Sequence, residues 1–253
     1  MIPVAAPPRV RDLLRGAPDG PVPVLHAGPL ALYLEVVGSC VGVLAAGAAR
    51  VPCGLRTTLR HLGPLLSTAA TPTAYLEGGT LQVGGRSLPV GRTEGTYVPR
   101  VRPEVVRSTE AGPGTVEATP PATVSGLAAA LLPHGRIDAE TVTRLVGRGE
   151  GLTPLCDDLL AGWLALHRAV GVPTDEVDAA VRRSLHRTTL LSATLLECAL
   201  QGEVLPEYAA WLRALGTPDA PARAAALSAV GATSGAGLLH GARIALDDLR
   251  EAA

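Results

Sequence analysis

A glycine-rich segment in the middle of the chain carries residue types that could bind a ligand or do chemistry. Glycine occupies every second position from Gly147 to Gly151, and the run continues as Thr153-Pro154-Leu-Cys-Asp157-Asp158. Alternating glycines allow a tightly turned backbone. Threonine is a good helix N-cap, and proline suits the first helical position because its missing N–H costs nothing there. The segment therefore predicts a turn followed by a helix that carries two acids in its first turn.

The two adjacent acids differ in their predicted surroundings. Apolar side chains recur at helical spacing along one face of the predicted helix, from Leu155 to Val170. At about 100° per residue, Asp157 projects opposite that apolar stripe and Asp158 lies on its flank. A carboxylate on a helix that is apolar almost all round is costly unless it has a partner. Asp158 is therefore the stronger candidate for a functional role. The alternative is that both acids only complement the helix dipole.

A second glycine-rich loop precedes the last predicted helix. The run Gly231-Ala-Thr233-Ser234-Gly235 leads into a segment with helical periodicity, and Thr233 or Ser234 is suited to cap that helix. Backbone N–H groups at a helix N-terminus attract anions. Two such loops in one chain therefore predict an anion-binding site.

The run Arg187-Thr188-Thr189 lies between the two loops in the sequence. A guanidinium forms paired hydrogen bonds with a carboxylate or phosphate, so this run could hold an oxyanion. The alternative is that Thr188 is a helix N-cap and Arg187 lies on the surface. His240 shares helical spacing with Arg243, which predicts a solvated polar face and no chemistry for His240.

Composition excludes several classes of protein. The 22 basic residues nearly balance the 23 acidic ones and form no cluster, so nucleic acid is not an expected partner. All 22 are arginine, which excludes Schiff-base catalysis and a phosphate-loop lysine. The four cysteines are far apart and no zinc signature is present. Reduced, buried thiols in a cytoplasmic protein are therefore expected, without a set of metal ligands.

The two halves of the chain have different patterns, which together predict an α+β fold. Residues 1–103 contain short apolar runs separated by turn signals such as Gly78-Gly79 and Gly84-Gly85, and they predict an antiparallel β meander or a small barrel. Residues 104–121, rich in proline and glycine, predict a linker or long loop. Residues 122–253 predict a mostly α-helical domain, with helices over 122–132, 138–147, 154–170, 175–186, 189–201, 206–215, 219–229 and 235–250.

The apolar segment 28–49 is the candidate for a membrane span. Its only charge is Glu35, and its length approaches the ~20 residues that a spanning helix needs. It also contains four glycines and a proline, and part of it alternates as a strand does, so two buried strands are predicted instead. The first residues show no basic stretch followed by a long apolar run, so neither a secretory signal nor a membrane partner is expected.

Taken together, these motifs resemble a bacterial family long described as a domain of unknown function. The matching motifs, in order, are Gly-Leu-Thr153-Pro154, Asp157-Asp158, Gly162, Arg187-Thr188-Thr189, Gln201-Gly202-Glu203 and Thr233-Ser234-Gly235. The best-known member of that family is a subunit of oxamate carbamoyltransferase, from anaerobic allantoin breakdown. The resemblance implies carbamoyl transfer between oxamate and phosphate, alongside other subunits. The implied site consists of Thr153, Asp158, Arg187, Thr188 and Ser234.

Two positions depart from the pattern of that family. Leu155-Cys156 stands where the family usually has Ser-Gly, and Gly237 stands where it tends to have an acid.

The resemblance thus implies a carbamoyltransferase-like subunit whose ligand is carbamoyl phosphate, phosphate or oxamate. The glycine-led helix N-termini, for their part, predict that a small anionic metabolite binds there. The alternative is a non-catalytic binding or assembly subunit of a multi-subunit enzyme. The cofactor is left open, with magnesium at Asp158 as one option, and other transferase subunits or a second copy of the chain are candidate partners. Asp158 and Asp157 are the catalytic candidates. The candidates for substrate binding are Gly149, Gly151, Thr153, Arg187, Thr188, Thr189, Thr233, Ser234 and Gly235.

Overall fold

The structure is a computed structural model that describes residues 1–66, 73–108, 126, 130–132 and 135–251. The chain divides into two compact units, Met1–Thr96 and Tyr97–Ala253. The described part of the first unit is built mainly of strands, and that of the second is built of helices. The predicted α+β fold class is therefore confirmed.

The first unit alternates short strands with two helices. Its described elements are β1 (Val4–Ala6), α1 (Pro8–Gly16), β2 (Gly20–Val22), β3 (Val24–Ala27), β4 (Ala31–Val36), β5 (Ser39–Leu44), β6 (Gly54–Arg56), α2 (Gly63–Leu66), β7 (Ala74–Glu77), β8 (Thr80–Val83), β9 (Arg86–Leu88) and β10 (Val90–Thr93). The apolar segment 28–49 forms the antiparallel pair β4 and β5, which confirms the two predicted strands.

Six of these strands form a mixed sheet in the order β10-β1-β6-β5-β4-β3. Strand β1 is parallel to β10, and β5 is parallel to β6, whereas the other neighbours are antiparallel. The remaining four form an antiparallel sheet in the order β2-β7-β8-β9. Its two hairpins turn at Gly78-Gly79 and Gly84-Gly85, whose φ angles lie between 53° and 72°. Glycine reaches this region at no steric cost, so both predicted turns are confirmed.

The core of the first unit is formed by both sheets and α1. It includes Leu32, Leu34 and Val43 from the six-stranded sheet, Leu76 and Leu81 from the four-stranded sheet, and Val10 and Leu14 from α1. Consecutive antiparallel strands β7, β8 and β9 form a meander, but within the described residues neither sheet closes into the barrel that was the other predicted arrangement. The parallel pair β1 and β10 joins strands that are distant in sequence, and turn signals cannot reveal parallel pairs, because no tight hairpin joins them.

The second unit is helical throughout its described elements. These are α3 (Pro103–Ser108), α4 (Ala139–Leu145), α5 (Leu155–Val170), α6 (Asp175–Ser184), a 3₁₀ turn (Leu185–Arg187), α7 (Leu190–Leu200), α8 (Pro206–Ala214), α9 (Ala220–Ser228) and α10 (Ser234–Glu251). From residue 138 onward, the predicted helices are confirmed to within two residues at either end. Helix α5 is central, because it is buried along nearly its whole length.

The predicted linker and the first predicted helix of the second unit cannot be followed in full. Residues 104–108 of the linker lie in α3, and its residues 109–121 lie outside the described residues, as does most of the predicted helix 122–132. The predicted domain limits at 103 and 121 stay a prediction. Among the helices of the described residues, none combines the length and apolar character that crossing a membrane requires.

Candidate functional site

The glycine-rich loop before α5 is tightly turned, as its sequence indicates. The three alternating glycines from Gly147 to Gly151 all have positive φ angles, of 79°, 123° and 87°. At Gly147 an added Cβ would lie 2.3 Å from the carbonyl oxygen of Arg187, and at Gly149 it would lie 2.4 Å from the backbone nitrogen of Leu155. Side chains other than hydrogen are therefore excluded at both positions. The loop is held against the residues before α7 and against the start of α5.

Hydrogen bonds of Asp157 link this loop to helix α7 and to the residues just before it. Its Oδ1 accepts the backbone N–H of Gly147 at 2.8 Å, and its Oδ2 accepts the hydroxyls of Thr188 and of Ser192, the latter at 2.7 Å. Only 1% of the surface of Asp157 is exposed. Burial raises the pKa of Asp157, and the donors Thr188, Gly147 and Ser192 oppose that rise. A carboxyl with three internal donors fits a structural role.

Asp158 lies beside the point where the two glycine-led helices meet. The hydroxyl oxygens of Thr153 and Ser234 are 2.9 Å apart, so the start of α5 is bonded to the start of α10. Asp158 is 5% exposed, and among the described residues its Oδ2 atom is buried without a hydrogen-bond partner. Burial raises the pKa of Asp158 to about 8; the hydroxyls of Ser234 and Thr153 oppose the rise and the nearby Asp157 adds to it. The group therefore holds its proton at neutral pH.

Glycines bring the backbones of α5 and α10 into direct contact. A Cβ added at Gly162 would lie 2.0 Å from the carbonyl oxygen of Leu238, and one at Gly241 would lie 1.8 Å from that of Leu159. At Gly237 an added Cβ would lie 3.0 Å from the Cβ of Asp158. This packing sets the distance between the two helix starts. It also means that Gly237, where the family pattern tends to have an acid, has little room for a longer side chain.

Several predicted contacts at the helix starts differ from those in the structure. Thr153 is not the N-cap of α5: Pro154 occupies that position, and the hydroxyl of Thr153 is bonded to Ser234 instead. The N-cap of α7 is Thr189, not Thr188, because the Thr189 hydroxyl accepts the N–H of Ser192. Spacing alone could not separate the two threonines, since either can precede a helix.

The backbone donors at the two helix starts are largely engaged within the chain. The N–H of Cys156 is donated to the carbonyl of Arg148, and that of Gly235 to Val230, each at 3.0 Å. The N–H groups of these two residues are therefore not available to bind an anion. The hydroxyls of Thr153 and Ser234 are the polar groups that the structure brings together at this point.

Arg187 and Thr189 also bond within the chain. The guanidinium of Arg187 donates to the carbonyl of Thr143 in α4 although the residue is exposed. The hydroxyl of Thr189 donates to the carbonyl of Leu152 in the glycine-rich loop at 2.5 Å. The structure thus brings Arg187, Thr188 and Thr189 to the loop, but their side chains donate hydrogen bonds to Thr143, Asp157 and Leu152, respectively.

Two further features were not expected from the sequence. His240 is half-buried rather than on a solvated face, and burial lowers its pKa, with Arg243 adding to the effect. Ser192, which donates to Asp157, was not among the predicted site residues. Its place three or four residues after the two threonines was the available signal, since residues at these spacings are neighbours on one helix face.

The four cysteines are free, buried thiols. Cys156, the residue before the two acids, has a pKa that burial raises to about 12, so its thiol is not an activated nucleophile. No group of three or more His, Cys, Asp or Glu residues gathers in the described part of the chain in a way that could hold a metal ion.

The described chain is thus an α+β protein whose helical unit joins two glycine-led helix starts beside a buried carboxyl. A family model described as "Oxamate carbamoyltransferase subunit AllH" matches residues 145–246, which lie in this unit and include both helix starts. The match covers residues 145–246 only, and over that segment it confirms the resemblance seen in the motifs. Searches of curated proteins and of solved structures each gave no match.

Proposed function

We propose that the chain is a carbamoyltransferase-related subunit and that the paired helix starts of its second unit bind a small anionic substrate of carbamoyl transfer. Two facts support this proposal: the family match spans both helix starts, and the hydroxyls of Thr153 and Ser234 meet beside a buried carboxyl. The contact between Thr153 and Ser234 is the observation that carries the proposal. Carbamoyl phosphate, oxamate and phosphate are the candidate ligands.

The chemistry of the proposed site follows from the protonation of its groups. One of the two hydroxyls donates to the other, which leaves the second O–H to donate to an oxygen of a carboxylate or phosphate. Asp158 with its proton in place adds no negative charge that would repel an anion, and its Oδ2, left unpaired by the described residues, can accept an N–H of a carbamoyl group. Asp158 would thus orient the amide nitrogen while the hydroxyls hold the anionic end. Asp157, with three internal donors, supports the loop instead of contacting the substrate.

The test is ligand-dependent thermal stability of the full chain. Carbamoyl phosphate, oxamate and inorganic phosphate, each at millimolar concentration with and without magnesium, are expected to raise the melting temperature, because a ligand selective for the folded state stabilises it. Ser234→Ala removes one of the two hydroxyls and is expected to abolish most of that rise. Ser228→Ala, which removes a hydroxyl at the end of α9, is the matched control and should keep the rise. A rise that Ser234→Ala leaves intact would contradict the proposed site.

A non-catalytic assembly subunit is the second candidate function. The observation that favours it is that polar side-chain atoms of four predicted site residues form hydrogen bonds within the chain. These residues are Asp157, Arg187, Thr188 and Thr189. For this candidate we expect no thermal shift with any of the three ligands. The chain would instead co-purify with carbamoyltransferase partner subunits when these are expressed together.

A further inference from the structure

A half-open depression of about 550 Å³ lies in the first unit, at the edge of the six-stranded sheet. Its polar lining consists of Arg56, Arg92, Thr57 and Thr58, and its lining also includes the small residues Ala5 and Gly91. Depressions of roughly 300–1,000 Å³ suit small-molecule ligands. The family match at 145–246 does not extend to this unit.

The register of the sheet places both arginines on one face. Ala5 in β1 pairs with Arg56 in β6 on one side and with Arg92 in β10 on the other. Residues directly opposite each other in neighbouring strands project to the same face of a sheet. The two arginines therefore flank a residue that has only a methyl side chain, which leaves space between them.

A register shift in β10 is what brings Arg92 to this face. Val4 pairs with Val90, but the next residue, Ala5, pairs with Arg92, so Gly91 is the extra residue of a bulge. In a regular register Gly91 would lie opposite Ala5, and Arg92 would lie opposite Ala6, on the face that Val4 and Ala6 contribute to the core. Bulges recur at sheet edges and beside binding sites, where they redirect a side chain.

The charges around the depression favour an anion. Arg56 donates one N–H to Glu94, which leaves the other donors of its guanidinium for a ligand. Arg92 is an exposed residue of β10. Two guanidinium groups and one carboxylate give a net positive charge, and planar guanidinium groups bind carboxylate and phosphate oxygens in pairs.

We propose that Arg56 and Arg92, set on one face of the sheet by the bulge at Gly91, form a second binding site, which takes a small organic anion with a phosphate or dicarboxylate group. The small apolar residues of the lining accommodate the body of the ligand, and the two guanidinium groups bind its charged end. This site is separate from the paired helix starts of the second unit and does not depend on the proposed function.

The experiment is hydrogen exchange on the full chain with three probes: phenyl phosphate, malonate and inorganic phosphate. Saturable protection is expected in the peptides that cover β1, β6 and β10. Protection by phenyl phosphate alone would identify a phosphate ester, and protection by malonate alone would identify a dicarboxylate. Protection by inorganic phosphate would show that the oxyanion suffices for binding.

Variants of the exposed arginines test the assignment. Arg92→Ala is expected to weaken the affinity about tenfold to a hundredfold, the loss expected for hydrogen bonds to a charged group. The affinity of Arg92→Lys should lie between that of Arg92→Ala and that of the unchanged chain, because lysine keeps the positive charge but lacks the planar guanidinium. Arg86→Ala, which removes an exposed arginine of β9, is the matched control and should bind as the unchanged chain does. The proposal is overturned if no probe protects these peptides, if protection is confined to the second unit, or if Arg92→Ala and Arg86→Ala bind equally.

Discussion

The hydroxyl oxygen of Thr153 lies 2.9 Å from that of Ser234, although 81 positions separate the two residues in the sequence. This contact joins the first residues of α10 to the loop before α5, and it lies beside Asp158. Below it, the two helices approach so closely that glycine is required at Gly162 and Gly241. The position of the candidate site thus depends on backbone packing as well as on its polar groups.

The first prediction concerns the pH dependence that Asp158 gives to stability. Its pKa in the folded protein is raised to about 8, whereas the ordinary value is 3.8. Between these values the folded state keeps a proton that the unfolded state releases, so this group makes the free energy of unfolding fall as pH rises. One such proton changes that free energy by at most about 1.4 kcal/mol per pH unit. Asp158→Asn has no proton to release, so we expect it to gain stability relative to the unchanged chain between about pH 5 and about pH 8.

Urea unfolding at several pH values measures this effect. Both tryptophans, Trp163 and Trp211, lie in the second unit, so their fluorescence reports the unfolding of the unit that contains Asp158. If the stability curves of Asp158→Asn and the unchanged chain ran parallel over this pH range, the raised pKa would be ruled out.

The second prediction separates two substitutions of Asp157. Alanine removes the acceptor of three donors and leaves them buried and unpaired, so we expect Asp157→Ala to lower the free energy of unfolding by about 3 kcal/mol. Asparagine can accept from the Gly147 N–H through its oxygen, while its amide donates to the hydroxyls of Thr188 and Ser192, which can also accept. Asp157→Asn should therefore cost less than about 1 kcal/mol. Urea unfolding followed by tryptophan fluorescence compares them, and equal losses would contradict this account of the hydrogen bonds.

The third prediction concerns the close approach of α5 and α10. Gly162→Ala and Gly241→Ala each place a methyl group within 2.0 Å of a backbone carbonyl oxygen, which no side-chain rotation can relieve. Each should lower the free energy of unfolding by about 2–3 kcal/mol, although alanine favours helices more than glycine does. Gly126→Ala is the control in the same unit, since no heavy atom of the described residues lies within 4 Å of its added Cβ. Denaturant unfolding that placed all three variants at the same stability would refute the packing argument.

The sequence predicted the helices from residue 138 onward well because each depends on contacts within a few residues, whereas α3 lies in the segment that was predicted as a linker. The apolar repeat from Leu155 to Val170 and the Gly-Gly turns of the four-stranded sheet both express local geometry, and both are confirmed. The same reasoning did not distinguish Thr188 from Thr189 as the N-cap, since adjacent residues of equal propensity give the same local signal.

The candidate site was only partly predictable. The glycine-led loops and Asp157-Asp158 stand out in the sequence, yet their roles depend on partners that come from other elements. Asp157 accepts a hydrogen bond from Ser192 in α7. Asp158 lies near Ser234 in α10, and its Oδ2 has no hydrogen-bond partner among the described residues. The bonding of the Gly235 N–H to Val230 likewise follows from how the loop closes.

By itself, the sequence determined the α+β class, the limits of the helices from residue 138 onward, the hairpin turns and the absence of lysine chemistry, because these depend on residue type and short-range spacing. The tertiary structure alone decided which acid has hydrogen-bond donors for both of its oxygens, where the two helix starts meet, and which face of the sheet Arg92 occupies. The physical reason is that burial and hydrogen bonding join residues far apart in the chain. A bulge of one residue, or the contact of a glycine with a backbone carbonyl of the facing helix, sets those pairings, and neither leaves a periodic signal in the sequence.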